Sequence, residues 1–501
     1  MARTEVEVLV IGGGITGAGI ARDGAMRGLR TALVERADLA SGTSSRSSKL
    51  IHGGLRYLEQ GEVGLVLEAA AERRTLRKIA PHLAIAERMA LPVHGRTSAG
   101  VMKLRAGLWA YEKMARIAAE ERHEIWRRDE ALDHVPGLDA QNLQGAAVYT
   151  EYVTDDARLT LETVKSAKRA GALIATYAPA IAISEAAPST STSGDGSAAS
   201  APRLRVKLND ELAGRSYEVT ARVVVNAAGP WVDAVRRLGG DVAPRMHLTK
   251  GIHLVVARER LRVDDIVVMR AADRRMVFVV PFGDIVWIGT TDTDFSRAVE
   301  RPEITRADVD YLLEATNRTW PGARIVDEDV RGAWAGVRPL LHQEGKKPSE
   351  ISRRDEILVE PNGLLSIAGG KLTTYRRMAE RVIDAVVERL GTSAARPCRT
   401  AEVPLVEGET PVPIARTALA DADIAYAVDE ECALSICDVL ERRARSNLFA
   451  AGNGLGDVER TGAILAGRLG WDERRLATEI EHYRARVADD VAWRGATRGK
   501  R

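Results

Sequence analysis

Cysteine is scarce: Cys398, Cys432 and Cys437 are the only three in 501 residues, and all lie in the last quarter of the chain. Three thiols so placed make neither a disulfide framework nor a paired metal motif. No metal site is expected, and a reducing, cytoplasmic setting is. Long apolar runs are missing too. No stretch approaches the roughly 18 uninterrupted apolar residues of a membrane span, so any membrane contact must be peripheral. Neither sign of charge is in excess, since 72 basic and 70 acidic side chains leave a formal charge of +2. That balance speaks against a nucleic-acid partner and makes any anion site a local one. The chain enters a strand almost at once (Val6, Val8, Leu9, Val10, Ile11), without the charged leader and apolar region of a secretory signal. At this length, with 45% hydrophobic and 28% charged residues, two or three globular units are expected.

The opening reads as strand, glycine-rich turn, helix and strand. Glu5 to Ile11 runs into Gly12-Gly13-Gly14-Ile15-Thr16-Gly17, a helix follows to about Gly28, and Thr31 to Val34 forms the second strand. Spaced glycines Gly12, Gly14 and Gly17 permit a tight turn, close approach of backbone to a pyrophosphate, and close helix packing. Glu35 follows about 20 residues on, where a carboxylate can hold the hydroxyls of an adenosine ribose. The pattern predicts a dinucleotide site without choosing between NAD and FAD.

Two later strands also enter glycine turns, Arg222 to Val225 before Asn226-Ala-Ala-Gly229 and Leu364 to Ile367 before Ala368-Gly369-Gly370-Lys371. One nucleotide-binding unit interrupted by insertions accounts for all three. Between Lys250 and Asp294 short β-rich runs (His253 to Val256, Met276 to Val280, Ile285 to Ile288) point to an antiparallel sheet on the substrate side. The polar, low-complexity stretch 187–202 reads as a surface loop. After Pro397 the strands stop, and the stripe Leu476, Ile480, Tyr483, Val487, Val491 behind Asp472 predicts a capped helix in a helical tail.

From Gly42 to Tyr57, sixteen residues gather small hydroxyls, paired glycines, His52 and two arginines. Small residues let a flat ring lie against backbone, and hydroxyls bond its edges. This stretch, with Pro81-His-Leu83, Asp155-Asp-Ala-Arg-Leu159, Asn226-Ala-Ala-Gly-Pro-Trp231, Lys250-Gly-Ile-His253, Gly289-Thr-Thr-Asp292, Gly336-Val-Arg-Pro-Leu340 and Gly369-Gly-Lys-Leu-Thr-Thr-Tyr375, resembles the FAD-dependent (aerobic) glycerol-3-phosphate dehydrogenases in motif and order. The likeness is strong over 1–395 and weaker through the tail.

That resemblance implies an α/β fold: a doubly wound FAD domain of the glutathione-reductase-like type (1–95, 150–240, 355–395), a mainly antiparallel substrate domain (96–149, 241–354), and a C-terminal helical domain (396–501). It implies that Gly12, Gly14, Gly17 and Glu35 hold the ADP half of FAD. Thr43, Ser47, Ser48, Leu50 and Gly229 would line its phosphates and ring, and Gly370, Lys371, Leu372 and Thr373 its pyrimidine end. FAD is expected to be non-covalent, as no cysteine lies near the ring. For the substrate, glycerol 3-phosphate, it implies cations at Arg56, Arg338 and Lys371, a hydrogen bond from Tyr57, and a base at His52 or His253. The residues do not choose between the two histidines.

By the same resemblance the electrons pass to a membrane quinone from the cytoplasmic face, where a basic C-terminus (Arg494, Arg498, Lys500, Arg501) would favour anionic lipid. A homodimer is left open. An oxygen-using glycerol-3-phosphate oxidase and an amine or amino-acid oxidase of the same fold are the alternatives. A non-catalytic or RNA-modifying scaffold would need the basic stripe that the charge balance does not provide.

Overall fold

A computed structural model describes residues 5–53, 61–186, 203–296, 299–343, 345, 354–408, 412 and 419–496. Val6–Ile11 is apolar at five of six positions and buried on both faces, as a central parallel strand must be. It pairs in parallel with Thr31–Val34 on one side and with Ala221–Asn226 on the other. Asn226 in turn lies parallel to Ser366 of Leu365–Gly369. The three strands that run into glycine turns are therefore neighbours, with their carboxyl ends at one edge. Asp355–Val359 and Leu173–Ala175 complete the row, and Ala180–Glu185 and Leu204–Asp210 extend it through Arg215–Asn226.

The helix Ile15–Met26 packs on this sheet together with Asp156–Arg169 and Tyr375–Leu390. Asp155 caps the second of these by accepting from Arg158 N at 3.1 Å.

The second sheet has ten strands. Met246–Ala257 lies between Ile285–Gly289 and Val330–Leu341, and the row continues through Met276–Phe282, Ile266–Arg270, Ile85–His94 and Leu143–Val153 to Leu50–Ile51. Its described pairings are antiparallel except where Ile266 and Val267 meet Met89 and Ala90. A boundary at residue 95 would leave Ile85–His94 with the first unit. The strand pairs instead with Leu143–Val153, and the chain returns to the first unit only at Asp155. Its burial does not alternate cleanly, so the local sequence carried no sign of which sheet it would join.

The tail folds around Ile424, Ile436, Val439, Leu440, Leu465 and Tyr483. Asp472 caps the helix Glu473–Asp490 through Arg475 N at 2.7 Å, and Tyr483 and Val487 of the expected stripe are buried. The end of the described chain leaves this core: Trp493 is buried in the core of the second sheet, and Arg494 donates to the Val330 carbonyl at 2.5 Å. Positions 187–202, 498, 500 and 501 lie outside the described residues.

Candidate active site

At the shared strand edge, Gly12 takes φ +118°, and a Cβ there would stand 2.6 Å from the Ala227 carbonyl oxygen. A Cβ on Gly17 would stand 1.9 Å from the Gly12 carbonyl oxygen, so both glycines are demanded by the turn itself. Gly14 differs, because only Ser44 Oγ, at 3.1 Å, lies near its Cβ position. Gly14 is also the N-cap of Ile15–Met26, and the Ser44 hydroxyl accepts from Ile15 N at 2.9 Å at the same helix N-terminus. The space over Gly14 and the helix N-terminus thus form a cradle for an anion. Beside it Glu35 accepts from Gly13 N at 2.6 Å and Ala37 N at 2.9 Å. Burial pushes its carboxyl up, against the pull of those amides. Gly229, at φ +56°, follows Asn226, whose Nδ2 donates to Val232 O and Ser366 Oγ and so ties two strand ends together.

From this edge the segment 42–51 crosses to the second sheet. Thr43 Oγ1 donates to Val337 O at 2.6 Å, and Leu50 and Ile51 pair with Val153 and Tyr152. Ser47 gives both its N–H (2.9 Å) and its hydroxyl (2.7 Å) to Asp156 Oδ2. Ser48 Oγ lies 2.9 Å from His253 Nε2. At the far end the Thr373 hydroxyl accepts from His52 N and donates to His52 O, both at 3.2 Å, which brings the glycine turn at 369–370 to His52. Lys371 is the N-cap of the short turn Leu372–Thr374, and Leu372 packs on the core beneath.

His253 is buried, hydrogen-bonded at Nε2 and packed on its ring, while its Nδ1 has no hydrogen-bond partner among the described residues. Its ring stacks on Trp334 at 4.5 Å and 9°, and a Cβ on Gly289 would overlap it at 2.1 Å. Burial, with the Arg338 and Lys49 cations, pushes its pKa well below the usual 6.5, so the imidazole is neutral at physiological pH. Arg338 lies across Gly251, where a Cβ would stand 2.3 Å from Nη2. Its guanidinium donates to Thr290 Oγ1 (2.8 Å), Thr291 O (3.2 Å) and Asp292 Oδ1 (3.1 Å). The glycines of Lys250-Gly-Ile-His253 and Gly289-Thr-Thr-Asp292 therefore make room for the two chemical groups.

The structure thus joins Gly12, Gly14, Gly17 and Glu35 in one corner and Thr43, Ser47 and Ser48 with His253 and Arg338 in another. It sets His52 beside Thr373. Arg56 and Tyr57 lie outside the described residues. Several contributors had no assigned role in the sequence. Lys49, Asp156 and Asp292 sat in quoted motifs, while Trp334 carried no separate signal.

Residues 7–376 match the family described as FAD dependent oxidoreductase, and 365–476 match the C-terminal domain of alpha-glycerophosphate oxidase. The aerobic glycerol-3-phosphate dehydrogenase of Staphylococcus aureus (strain USA300) is 41% identical over 412 residues, covering 81% of this chain and 72% of that protein. The chain belongs to the FAD-dependent glycerol-3-phosphate dehydrogenase family. A glycerol-3-phosphate dehydrogenase structure from Bacillus halodurans, complexed with FAD, is similar over 100% of this chain and 97% of that one, at TM-score 0.77 and 29% identity. The L-alpha-glycerophosphate oxidase of Mycoplasma pneumoniae, 17% identical with TM-score 0.60 over 81% of this chain and 100% of that one, shares the fold. As a glycerol-3-phosphate dehydrogenase family member the chain uses FAD. The anion cradle over Gly14 and the buried Glu35 suit that cofactor's diphosphate and ribose.

Proposed function

We propose that this enzyme oxidises sn-glycerol 3-phosphate to dihydroxyacetone phosphate and delivers the electrons to a membrane quinone. One observation carries the reading: a neutral buried imidazole and a guanidinium are presented side by side from paired strands onto the 43–48 segment. The first unit, of glutathione-reductase-like type, would hold the ADP half of FAD at Gly12, Gly14, Gly17 and Glu35. Thr43, Ser47, Ser48, Leu50, Gly229 and Gly370 to Thr373 would hold the rest. When bound, FAD supplies the acceptor for a hydride. His253 takes the hydroxyl proton as the hydride leaves the carbinol carbon, which is why it must be neutral. Arg338 and Lys371, with Arg56 and Tyr57, hold the phosphate and the developing alkoxide. His52, fixed through its backbone by Thr373, shapes the site's edge.

Anaerobic mixing with glycerol 3-phosphate should bleach the flavin. At saturating substrate the first-order bleaching rate should hold from pH 8 down to well below 6.5. The sign follows from the depressed pKa: the base form is lost only when pH falls through the lowered value, not through 6.5. A half-maximal rate near 6.5 would pass the role of base to another group such as His52. Stoichiometric peroxide, with oxygen turned over as fast as a soluble quinone analogue, would make the protein an oxidase.

For the membrane contact the described residues offer the helix Ala99–Ala115. Val101, Leu108, Tyr111 and Ala115 face inward, while Met102, Trp109 and Met114 are 68%, 59% and 45% exposed among the exposed cations Lys103, Arg105 and Lys113. An apolar ridge flanked by cations fits an anionic bilayer surface. No described helix is long and apolar enough to cross a membrane. Trp109→Ala should lower binding to phosphatidylglycerol vesicles about tenfold in a flotation assay, roughly what losing one buried aromatic costs. Unchanged flotation would remove this face from consideration.

A further inference from the structure

Among the described residues, Arg445 ties the C-terminal helical domain to the active-site segment by charge, and Leu448 of the same domain shares a core with Leu50 and Trp334. Arg445, 1% exposed, donates from Nη2 to Asp156 Oδ1 at 3.1 Å, and its Nη1 lies 3.4 Å from Asp155 Oδ1. Asp156 is fully buried and receives Lys49 Nζ at 2.8 Å as well as the two Ser47 hydrogen bonds. Trp334 Nε1 donates to Ser47 O at 3.3 Å, and Lys49 Nζ lies over the Trp334 ring, 5.2 Å from its centroid. The next residue, Ser48, meets His253.

We infer that Arg445 is a positioning residue of the active site: it fixes the Asp156 carboxylate that holds Ser47, and thereby sets the Ser48 hydroxyl on Nε2 of His253. The helical domain is then a working part of the site rather than an appended unit.

Three physical points support this chain. A guanidinium can bridge two adjacent carboxylates with its fork, which an ammonium cannot. The four charges balance, two cations against two carboxylates, so removal of any one leaves an uncompensated charge in the interior. Burial would raise the Asp156 pKa, but Lys49 and Arg445 outweigh it and keep the carboxylate ionised, as an acceptor of several hydrogen bonds must be. Lys49 itself is pushed down to about 8, first by burial and then by Arg445, so the arginine opposes the charge on the amine facing the Trp334–His253 stack while Asp156 and Asp155 favour it. The partner on His253 Nε2 decides which ring nitrogen carries the proton.

The inference rests on His253 belonging to the reaction site, and the test separates the two claims. Arg445→Lys holoenzyme should keep its flavin and lose about tenfold in kcat with KM nearly unchanged. In a Ser48→Ala background the same change should cost less than about twofold, because the link it acts through is gone. In holoenzyme carrying 15N-histidine, the imidazole nitrogens of His253 should shift to a different tautomer ratio in Arg445→Lys, as they do in Ser48→Ala. That spectrum reads the coupling even if glycerol 3-phosphate proves not to be the substrate. Should Arg445→Lys fail to fold, Ser47→Ala removes a hydroxyl from the same chain, leaves the ion pairs in place, and should move the same resonances. Equal losses from Arg445→Lys in the two backgrounds would overturn the inference, as would an unchanged His253 signal in the folded variants.

Discussion

Gly14→Val should purify as a folded apoprotein, whereas Gly17→Val should not fold. The two glycines stand three residues apart in one turn and look equivalent in sequence, but their surroundings differ. At Gly17 the first added carbon would fall 1.9 Å from a carbonyl oxygen of the same turn, a collision between backbone atoms that nothing nearby can relieve. At Gly14 the protein offers only the Ser44 hydroxyl at 3.1 Å, which can rotate aside at the loss of its bond from Ile15 N. The chain's own packing therefore gives little reason for glycine at position 14, and the approach of a diphosphate to the helix N-terminus gives a strong one. Branched carbons over that N-terminus should abolish FAD binding while leaving the sheet intact. Flavin absorbance per polypeptide and a thermal melt decide the matter. A Gly14→Val protein with a full complement of flavin would place the diphosphate elsewhere.

Arg338→Ala should lower kcat/KM for glycerol 3-phosphate by ten- to a hundredfold with FAD still bound, and Lys371→Ala should do likewise. A hydrogen bond to a charged group is worth roughly 1.5–3 kcal/mol, and each 1.4 kcal/mol is about tenfold. Arg338 should sit toward the upper end. Its guanidinium is already oriented by Thr290, Thr291 and Asp292, so little ordering remains to be done when substrate arrives. Glycerol as a second substrate tells phosphate contact from alkoxide contact. A residue that touches only the phosphate should matter much less for glycerol, while one that touches the reacting oxygen should depress both substrates alike. If both variants kept the parental kcat/KM for glycerol 3-phosphate, neither residue would be in the pocket.

The contrast between Gly14 and Gly17 also shows what could be read from the chain. Local patterns exposed the turn at 12–17, Glu35, the three strand-to-glycine transitions and the helix capped by Asp472, because each depends on neighbours within a few residues. The hydroxyl-rich segment at 42–51 was legible as a distinct element, and the fold carries it from the edge of the first sheet into the second. The partners of that segment were hidden. Asp156 lies over a hundred residues from Ser47 and Arg445 almost three hundred from Asp156, and no periodicity links them. Trp334 reads as an ordinary core aromatic within an apolar strand, and only the fold lays it against His253. The burial and nearby charge of His253, on which the proposal that it is the base rests, are set by the fold, and one-dimensional patterns do not carry them. Ile85–His94 shows the same limit at the level of a strand, since the sheet it joined was settled by a distant partner.

The return of Trp493 to the core of the second sheet has a mechanical consequence. The helical domain is fastened at one end by arginines, with Arg442 and Arg443 clasping Asp38 and Arg445 on Asp156, and at the other by a buried indole. A swing about the arginine end would pull the indole from its socket, and truncating a buried tryptophan typically costs about 3–5 kcal/mol. A swing about the indole end would take both arginines from Asp38 and leave Asp156 with Lys49 alone. Among the described residues the domain is a crossbar bolted at both ends, so swinging it as a rigid body would break one bolt or the other.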